Sequence, residues 1–401
     1  MGGKKMLRNN NARLFILTLV HFSVDFCGGL TIPLPEPTLT SHLGVALPRV
    51  AILVGGFALF ANLIQPLSAW FLPRRGAPIL LAVAPPASAA IAALGLSGNY
   101  WVAALLLAVA AAGIGLVHPE AALAAHSLSE RGAGLRMGIF MSGGYFGFSA
   151  GSLIGGLWLE AHTPSLAGFW ILGLPALAVT LLVVASGLHR VEGHVTEDDN
   201  GGEQGPPFAL SVWLCVSIAT GMCLLARFLP IYLVRRFPAG GGQGWGGATV
   251  FATGVAGALC AFAWGHISEG RRRGRYVAAA QIMGLPFLLM LVRTHSVLLA
   301  PLLGLGIGAT MGAVFPLSVV IARESTGAGR RLSMGMAIGG AWATGELAFI
   351  LGGIYVGRFP EGSSEPIATV LYSCVGIAAL TAAIALYVAK YEEVALERSE
   401  R

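Results

Sequence analysis

Charge is what this sequence has least of. Only 11% of its 401 residues are Asp, Glu, Lys or Arg, against roughly 25% in a soluble domain. That excludes a solvated globular surface for most of the chain. Cysteine is scarce as well. Cys27, Cys215, Cys223, Cys260 and Cys374 all fall in apolar segments without paired spacing, which excludes a disulfide framework or a cysteine metal site. There is no Walker A motif, no Ser/His/Asp arrangement and no metal-ligand spacing, so neither an ATP-driven machine nor an enzyme is expected, and no cofactor. The first apolar run carries Asp25 and lacks a small-residue cleavage site, so a cleavable signal peptide is not expected. The longest polar stretch has 20 residues, too few for the output domain of a sensor.

Apolar residues and glycine are abundant. Hydrophobic residues make up 55% of the chain, glycines number 56, and the mean hydropathy is +0.75. Glycine is more frequent in membrane helices than in soluble ones. The sequence therefore reads as an all-α polytopic membrane protein. At about 20 apolar residues per span, twelve spans are expected, at 12–34, 48–71, 77–96, 101–127, 136–159, 165–187, 208–234, 245–267, 276–293, 297–322, 333–357 and 366–389. The stretch HRVEGHVTEDDNGGEQGPPF (188–207) reads as a flexible linker between an N-terminal six-helix bundle, 1–187, and a C-terminal one, 208–401.

Lys and Arg set the expected orientation. With the N-terminus inside, 19 of them fall in cytoplasmic segments and five outside, which puts both termini in the cytoplasm. Cytoplasmic loops also account for the net charge of +6, so no nucleic-acid partner is expected. The halves repeat. GIGLVHPEAALAAHSLSERGAGLRMGIFMSGG (113–144) aligns with GIGATMGAVFPLSVVIARESTGAGRRLSMGMAIGG (306–340), pairing Pro119 with Pro316 and Gly143-Gly144 with Gly339-Gly340 at offsets of 195 to 197. Two parallel six-span halves are the plan of a rocking transporter with its site between them.

On these residues the chain resembles the major facilitator superfamily. The loop after span 8, with Gly265, Glu269, Arg271 and Gly274, is similar to that family's G-x-x-x-D-R-x-G-R motif. The loop after span 2 keeps Arg74 and Gly76 but has Ala69 and Pro73 where Gly and Asp would stand. The resemblance implies a charged latch between helix ends, made and broken in alternating access. Within the superfamily the chain looks most like the fosmidomycin-resistance family of bacterial exporters. That likeness rests on HFSVD in span 1, Gln65-Pro66 in span 2, VHPEA (117–121) in span 4, the glycine run 143–148, FLPIYLV (228–234) and Phe315-Pro316. It implies a monomer in the bacterial cytoplasmic (inner) membrane that exports a small compound as protons enter. Tyr145, Ser152 and Glu346 depart from the family pattern.

Ionisable residues inside a span are functional candidates. They are His21 and Asp25 in span 1, His118 and Glu120 in span 4, Arg227 in span 7 and Glu346 in span 11. In the superfamily, spans 1, 4, 7 and 10 line the cavity and 2, 5, 8 and 11 flank it, so all six residues fall toward water and substrate.

His21 and Asp25 are four apart and share a helix face. A carboxylate at depth that meets water only when a cavity opens, one turn from an imidazole, suits a proton site. The alternative is an ion pair pinning helices, with Arg227 as partner. Pro119 kinks span 4, so His118 and Glu120 point to different faces. Glu120 is then expected to couple protons and His118 to contact substrate, with Tyr145 and Gln65 as further contacts. Glu346 is a further proton candidate. Arg227 is expected to grip an anionic group, or else to partner Asp25 or Glu346 or snorkel to the outer interface.

In span 5, Gly143, Gly147, Gly151 and Gly155 recur every four residues, a stripe for close packing. Gly147, Gly151, Gly155 and Gly156 also resemble the superfamily's antiporter motif, with Ser152 in place of Pro. Met137 and Met141 are spaced like a soft-metal pair, but no metal is assigned.

The expected function is proton-coupled export of a small anionic or amphiphilic compound. The rivals are a carboxylate importer or a uniporter and, behind them, a metal transporter or a non-transporting sensor.

Overall fold

The computed structural model describes residues 9–71, 77–126, 128, 133–162, 165–190, 205–238, 242–268, 272–326 and 335–399, without the side chains at 69–71, 126, 133–135, 137 and 395–399. The chain divides into two compact units, Met1–Glu197 and Asp198–Arg401.

The first unit holds α1 (Asn10–Gly29), α2 (Leu47–Phe71), α3 (Leu80–Leu96), α4 (Tyr100–His126), α5 (Ala133–His162) and α6 (Phe169–Ser186). The second holds α7 (Phe208–Arg236), α8 (Gly242–Ile267), α9 (Arg273–Arg293), α10 (Leu299–Arg323), α11 (Met336–Val356) and α12 (Glu365–Ser399). A helix fills each expected window. Among the described residues, ten of these helices are long and apolar enough to cross a membrane. The other two are α3, which is shorter, and α5, which is diluted by glycine and serine.

Local chemistry sets several boundaries. The Asn9 side chain caps α1 by accepting from Asn11 N at 2.9 Å and Ala12 N at 3.4 Å. The helix stops at Gly29 rather than at 34, because Pro33, Pro35 and Pro37 follow and cannot donate. Pro85 and Pro86 sit inside α3, which tightens into a 3-10 helix over Ala89–Leu96. A wide π turn over Gly308–Gly312 interrupts α10, and Pro316 restarts the helix in its first turn. Two side chains satisfy carbonyls of that turn: Trp264 Nε1 donates to Ala309 O at 2.8 Å, and Gln281 Nε2 to Met311 O at 3.3 Å. The helix α12 runs ten residues past the expected 389, to Ser399, since its tail of Lys, Glu, Ala and Leu keeps high helix propensity without being apolar.

The segment read as a linker is structured at both described ends. Leu188–Arg190 forms a 3-10 turn. Further on, Phe208 N donates to Thr326 O at 3.1 Å and Thr326 N to Pro206 O at 3.0 Å.

The glycine stripe joins α5 to α1. A methyl group at Gly143, Gly147 or Gly151 would run into the backbone carbonyl of Thr18, Phe22 or Phe26, and at Gly155 it would press on Leu30. The two helices thus pack in parallel, four residues against four. Gly147→Ala is expected to lower stability by about 1–3 kcal/mol, the usual cost of overpacking. At Gly265 an added methyl meets nothing within 4 Å, so Gly265→Ala should stay within about 0.5 kcal/mol of the parent. Thermal midpoints of the two variants in detergent check this; equal midpoints would contradict the packing.

Candidate functional site

The α1–α5 contact builds one side of a polar cluster in the first unit. The ring of His21 is 5% exposed, and its Nε2 lies 3.3 Å from Asp25 Oδ2. From α4, His118 Nε2 lies 3.2 Å from Asp25 Oδ1, and these two side chains are 20% and 21% exposed. The two imidazoles meet edge to face with centroids 5.0 Å apart, and Phe140 of α5 stacks on His21 at 4.4 Å. Gly144 faces the pair so closely that a methyl group there would overlap His21 Nε2 and Asp25 Oδ2. Among the described residues, this is the one trio of His, Cys, Asp or Glu whose donor atoms all lie within 4.8 Å of one another, close enough to share one cation.

The backbone fixes both imidazoles. His21 Nδ1 is 2.9 Å from Phe140 O, and His118 Nδ1 is 2.6 Å from Ile114 O. A carbonyl can only accept, so each Nδ1 carries the hydrogen. In the neutral ring, Nε2 is then a bare lone pair, and it faces a carboxylate oxygen that also only accepts. Neutral histidines beside an ionised Asp25 leave two acceptor–acceptor contacts. A shared cation or added protons make both contacts favourable.

Glu120 is separate from this trio. It is buried, and its Oε2 accepts from Ala77 N at 2.6 Å, just before α3. So His118, not Glu120, joins Asp25; the two do point to different faces of α4, as expected. Tyr145 on α5 is partly buried and within electrostatic reach of Asp25. Gln65 bonds locally, its Nε2 donating to Asn62 Oδ1 at 3.3 Å. Gly156 is buried beside the stripe. Ser152, in the place of the expected Pro, is fully buried, and its hydroxyl has no hydrogen-bond partner among the described residues.

In the second unit the deep charges close on each other. Arg227 Nε lies 3.2 and 3.1 Å from the two oxygens of Glu346, and its second terminal nitrogen lies 2.8 Å from Oε1. Both side chains are under a tenth exposed. Phe349 lies beneath the guanidinium at 5.7 Å. The contact of Gly345 with Ala219 and Cys223 brings α11 close enough to α7 for this two-pronged pair. Glu346, one of the partners considered for Arg227, is paired with it.

The latch residues Arg74, Gly76, Glu269 and Arg271 lie outside the described residues, as does the Met137 side chain. The neighbouring arginines make pairs that sequence reasoning missed. Arg272 and Arg275 meet Glu393 at 2.7 and 3.4 Å, and Arg273 meets Glu324 at 2.6 Å. Gly274 N donates to Glu392 at 2.9 Å, capping the start of α9. The unpredicted extension of α12 supplies Glu392 and Glu393; its helix-forming composition was the available signal.

Residues 17–268 match the family described as Major Facilitator Superfamily. Two crystal structures of a bacterial homologue of the human lysosomal transporter Spinster share the fold. One, inward-facing and unoccupied, has a TM-score of 0.72 at 16% identity, covering 95% of this chain and 97% of that one. The other, inward-facing and occupied, has a TM-score of 0.64 at 16% identity, covering 96% and 97%. No curated protein sequence matches the chain.

Proposed function

The chain belongs to the Major Facilitator Superfamily, a family of multi-pass membrane transporters and not of enzymes, and from that premise we propose that it is a proton-coupled secondary transporter that works by alternating access. It exports a small amphiphilic organic compound from a bacterial cell in exchange for protons. The observation that carries this reading is the proton deficit of the His21–Asp25–His118 trio. Both rings are oriented by backbone carbonyls, and both aim a bare Nε2 at one carboxylate. Protonating them turns two repulsive contacts into charge-assisted hydrogen bonds. Losing those protons makes the trio a net anion that must take another cation or be rehydrated. A site with two such states can exchange protons for cargo as access alternates. The partly exposed Asp25 and His118 give water and cargo a route in, and buried His21 forms the floor.

Export and the inner membrane rest on the sequence likeness to bacterial exporters. The antiporter-like glycines support export by holding α5 tight against the helix that carries Asp25. Twelve crossings with both termini inside fit the Lys and Arg distribution. The Arg227–Glu346 closure removes the main ground for an anionic cargo, since that guanidinium already grips a carboxylate within its own unit.

The trio carries the protons, and Glu120 holds the Ala77 backbone just before α3. Glu120→Gln keeps a carbonyl acceptor for Ala77 N and is expected to leave proton exchange intact, with a stability loss of about 1–2 kcal/mol. The test is pH-gradient-driven proton flux in proteoliposomes, with Glu120→Gln beside Asp25→Asn. Flux lost in the first and kept in the second would move the carrier role to Glu120.

A further inference from the structure

We infer that the cargo is an organic ammonium ion with N–H donors, seated on the His21–Asp25–His118 trio in place of the protons it displaces. This inference rests on the proton-exchange reading above and names the substrate class of the same site.

With its histidines neutral, the trio presents His21 Nε2, His118 Nε2 and the two Asp25 oxygens, all acceptors. Among the described residues, no side chain other than these two rings pairs with Asp25. An alkylammonium carries three N–H donors around one positive charge. Acceptor atoms no more than 4.8 Å apart leave a point about 2.8–3.0 Å from each, which is N–H···O and N–H···N distance. One ammonium nitrogen at that point satisfies all three groups.

A carboxylate or phosphate cargo at the same point would meet only acceptors unless the histidines were charged. The one mid-span arginine in the sequence is already engaged by Glu346. A quaternary ammonium has the charge but no N–H, and would leave the lone pairs unmet.

Exchange follows from competition for the same lone pairs. Protonated at both Nε2 atoms, the trio has one net positive charge and repels an ammonium. Deprotonated there, it has one net negative charge and binds it. Among the described residues of the first unit, the other titratable groups around Asp25 are Cys27 on α1 and Tyr145 on α5. The packed stretches of α3 and α6 are LLAVAPPASAAIAALGL and FWILGLPALAVTLLVVAS, with no titratable residue. A higher pH on the loading side should therefore favour cargo binding, with proton release.

The test is calorimetric titration of the full chain in detergent, in two buffers of different ionisation enthalpy, so that binding and proton release are read together. The probes are 2-phenylethylammonium, its N-trimethyl analogue, 3-phenylpropanoate and zinc ion. The primary ammonium is expected to bind with proton release, and about tenfold or more weaker to Asp25→Asn. The trimethyl analogue is expected to bind the wild type about tenfold or more weaker than the primary amine. Equal binding of these two would overturn the three-donor seat without recourse to any variant. Phenylpropanoate binding with proton uptake, and no amine binding, would overturn the ammonium inference while proton coupling stands. Zinc binding alone would also overturn it, in favour of a metal site. Amine binding without proton release would sink proton coupling and leave the ammonium seat. Binding of none of the four would overturn the ammonium inference.

Discussion

Asp25→Asn should abolish coupled exchange and leave the chain folded. The carboxylate is the shared partner of two rings, at 3.3 Å from His21 and 3.2 Å from His118. Replacing it by an amide removes the negative charge that stabilises a proton on either Nε2. Each charge-assisted hydrogen bond contributes about 1.5–3 kcal/mol. Losing two, about 3–6 kcal/mol, should weaken proton retention by about a hundredfold or more, at about 1.4 kcal/mol per tenfold. The fold survives for a specific reason. The amide nitrogen donates to one of the bare Nε2 atoms, and the volume is unchanged, so the α1–α4 contact persists. Circular dichroism and the thermal midpoint should match the wild type, while proton flux in proteoliposomes falls to background. Flux at wild-type level would remove Asp25 from the mechanism. A collapsed midpoint would make the trio structural.

The opposite pattern is expected for Glu346→Gln: a large loss of stability. The Glu346 carboxylate takes three contacts from Arg227 at 2.8 to 3.2 Å in a site under a tenth exposed. Removing the charge of one partner leaves the other buried and uncompensated, which costs about 3–5 kcal/mol. A folded domain has only about 5–15 kcal/mol in hand, so the midpoint should drop sharply. The paired substitution Arg227→Met with Glu346→Leu keeps volume and removes both charges. Exchanges of that kind are often neutral or stabilising by about 1–4 kcal/mol, so the double variant should melt near the wild type. If it also transports, the pair is a clamp between α7 and α11. If it melts normally and does not transport, the pair takes part in the transport cycle. A single variant as stable as the wild type would contradict the buried-pair account.

The twelve helices were legible because each apolar run is bounded by charge, Gly or Pro. The packing of α1 on α5 was legible in part: four glycines at four-residue spacing announce a smooth face, but not that Thr18, Phe22 and Phe26 lie on it. The His21–Asp25 pair follows from helical spacing alone. That His118 and not Glu120 completes the trio does not. The two are neighbours on one helix, and the choice turns on how α4 is rotated against α1, which no local pattern encodes. The protonation logic was out of reach for the same reason, because it depends on the carbonyls of Phe140 and Ile114. Glu346 looked like an intruder in its span and proves to be the counter-ion of Arg227, a pairing the sequence offered as one alternative among several. The pairs made by Glu392 and Glu393 lie beyond the point where hydropathy falls, in a tail that helix propensity alone marks as helical.

Proton exchange at Asp25 is the central claim, and the most direct measurement is proton release from lightly buffered, detergent-purified protein on adding 2-phenylethylammonium, with Asp25→Asn alongside. Release is expected from the wild type, with a larger response from a lower starting pH, and none from the variant. Equal release from both proteins, or saturable binding with no release at any pH, would contradict it.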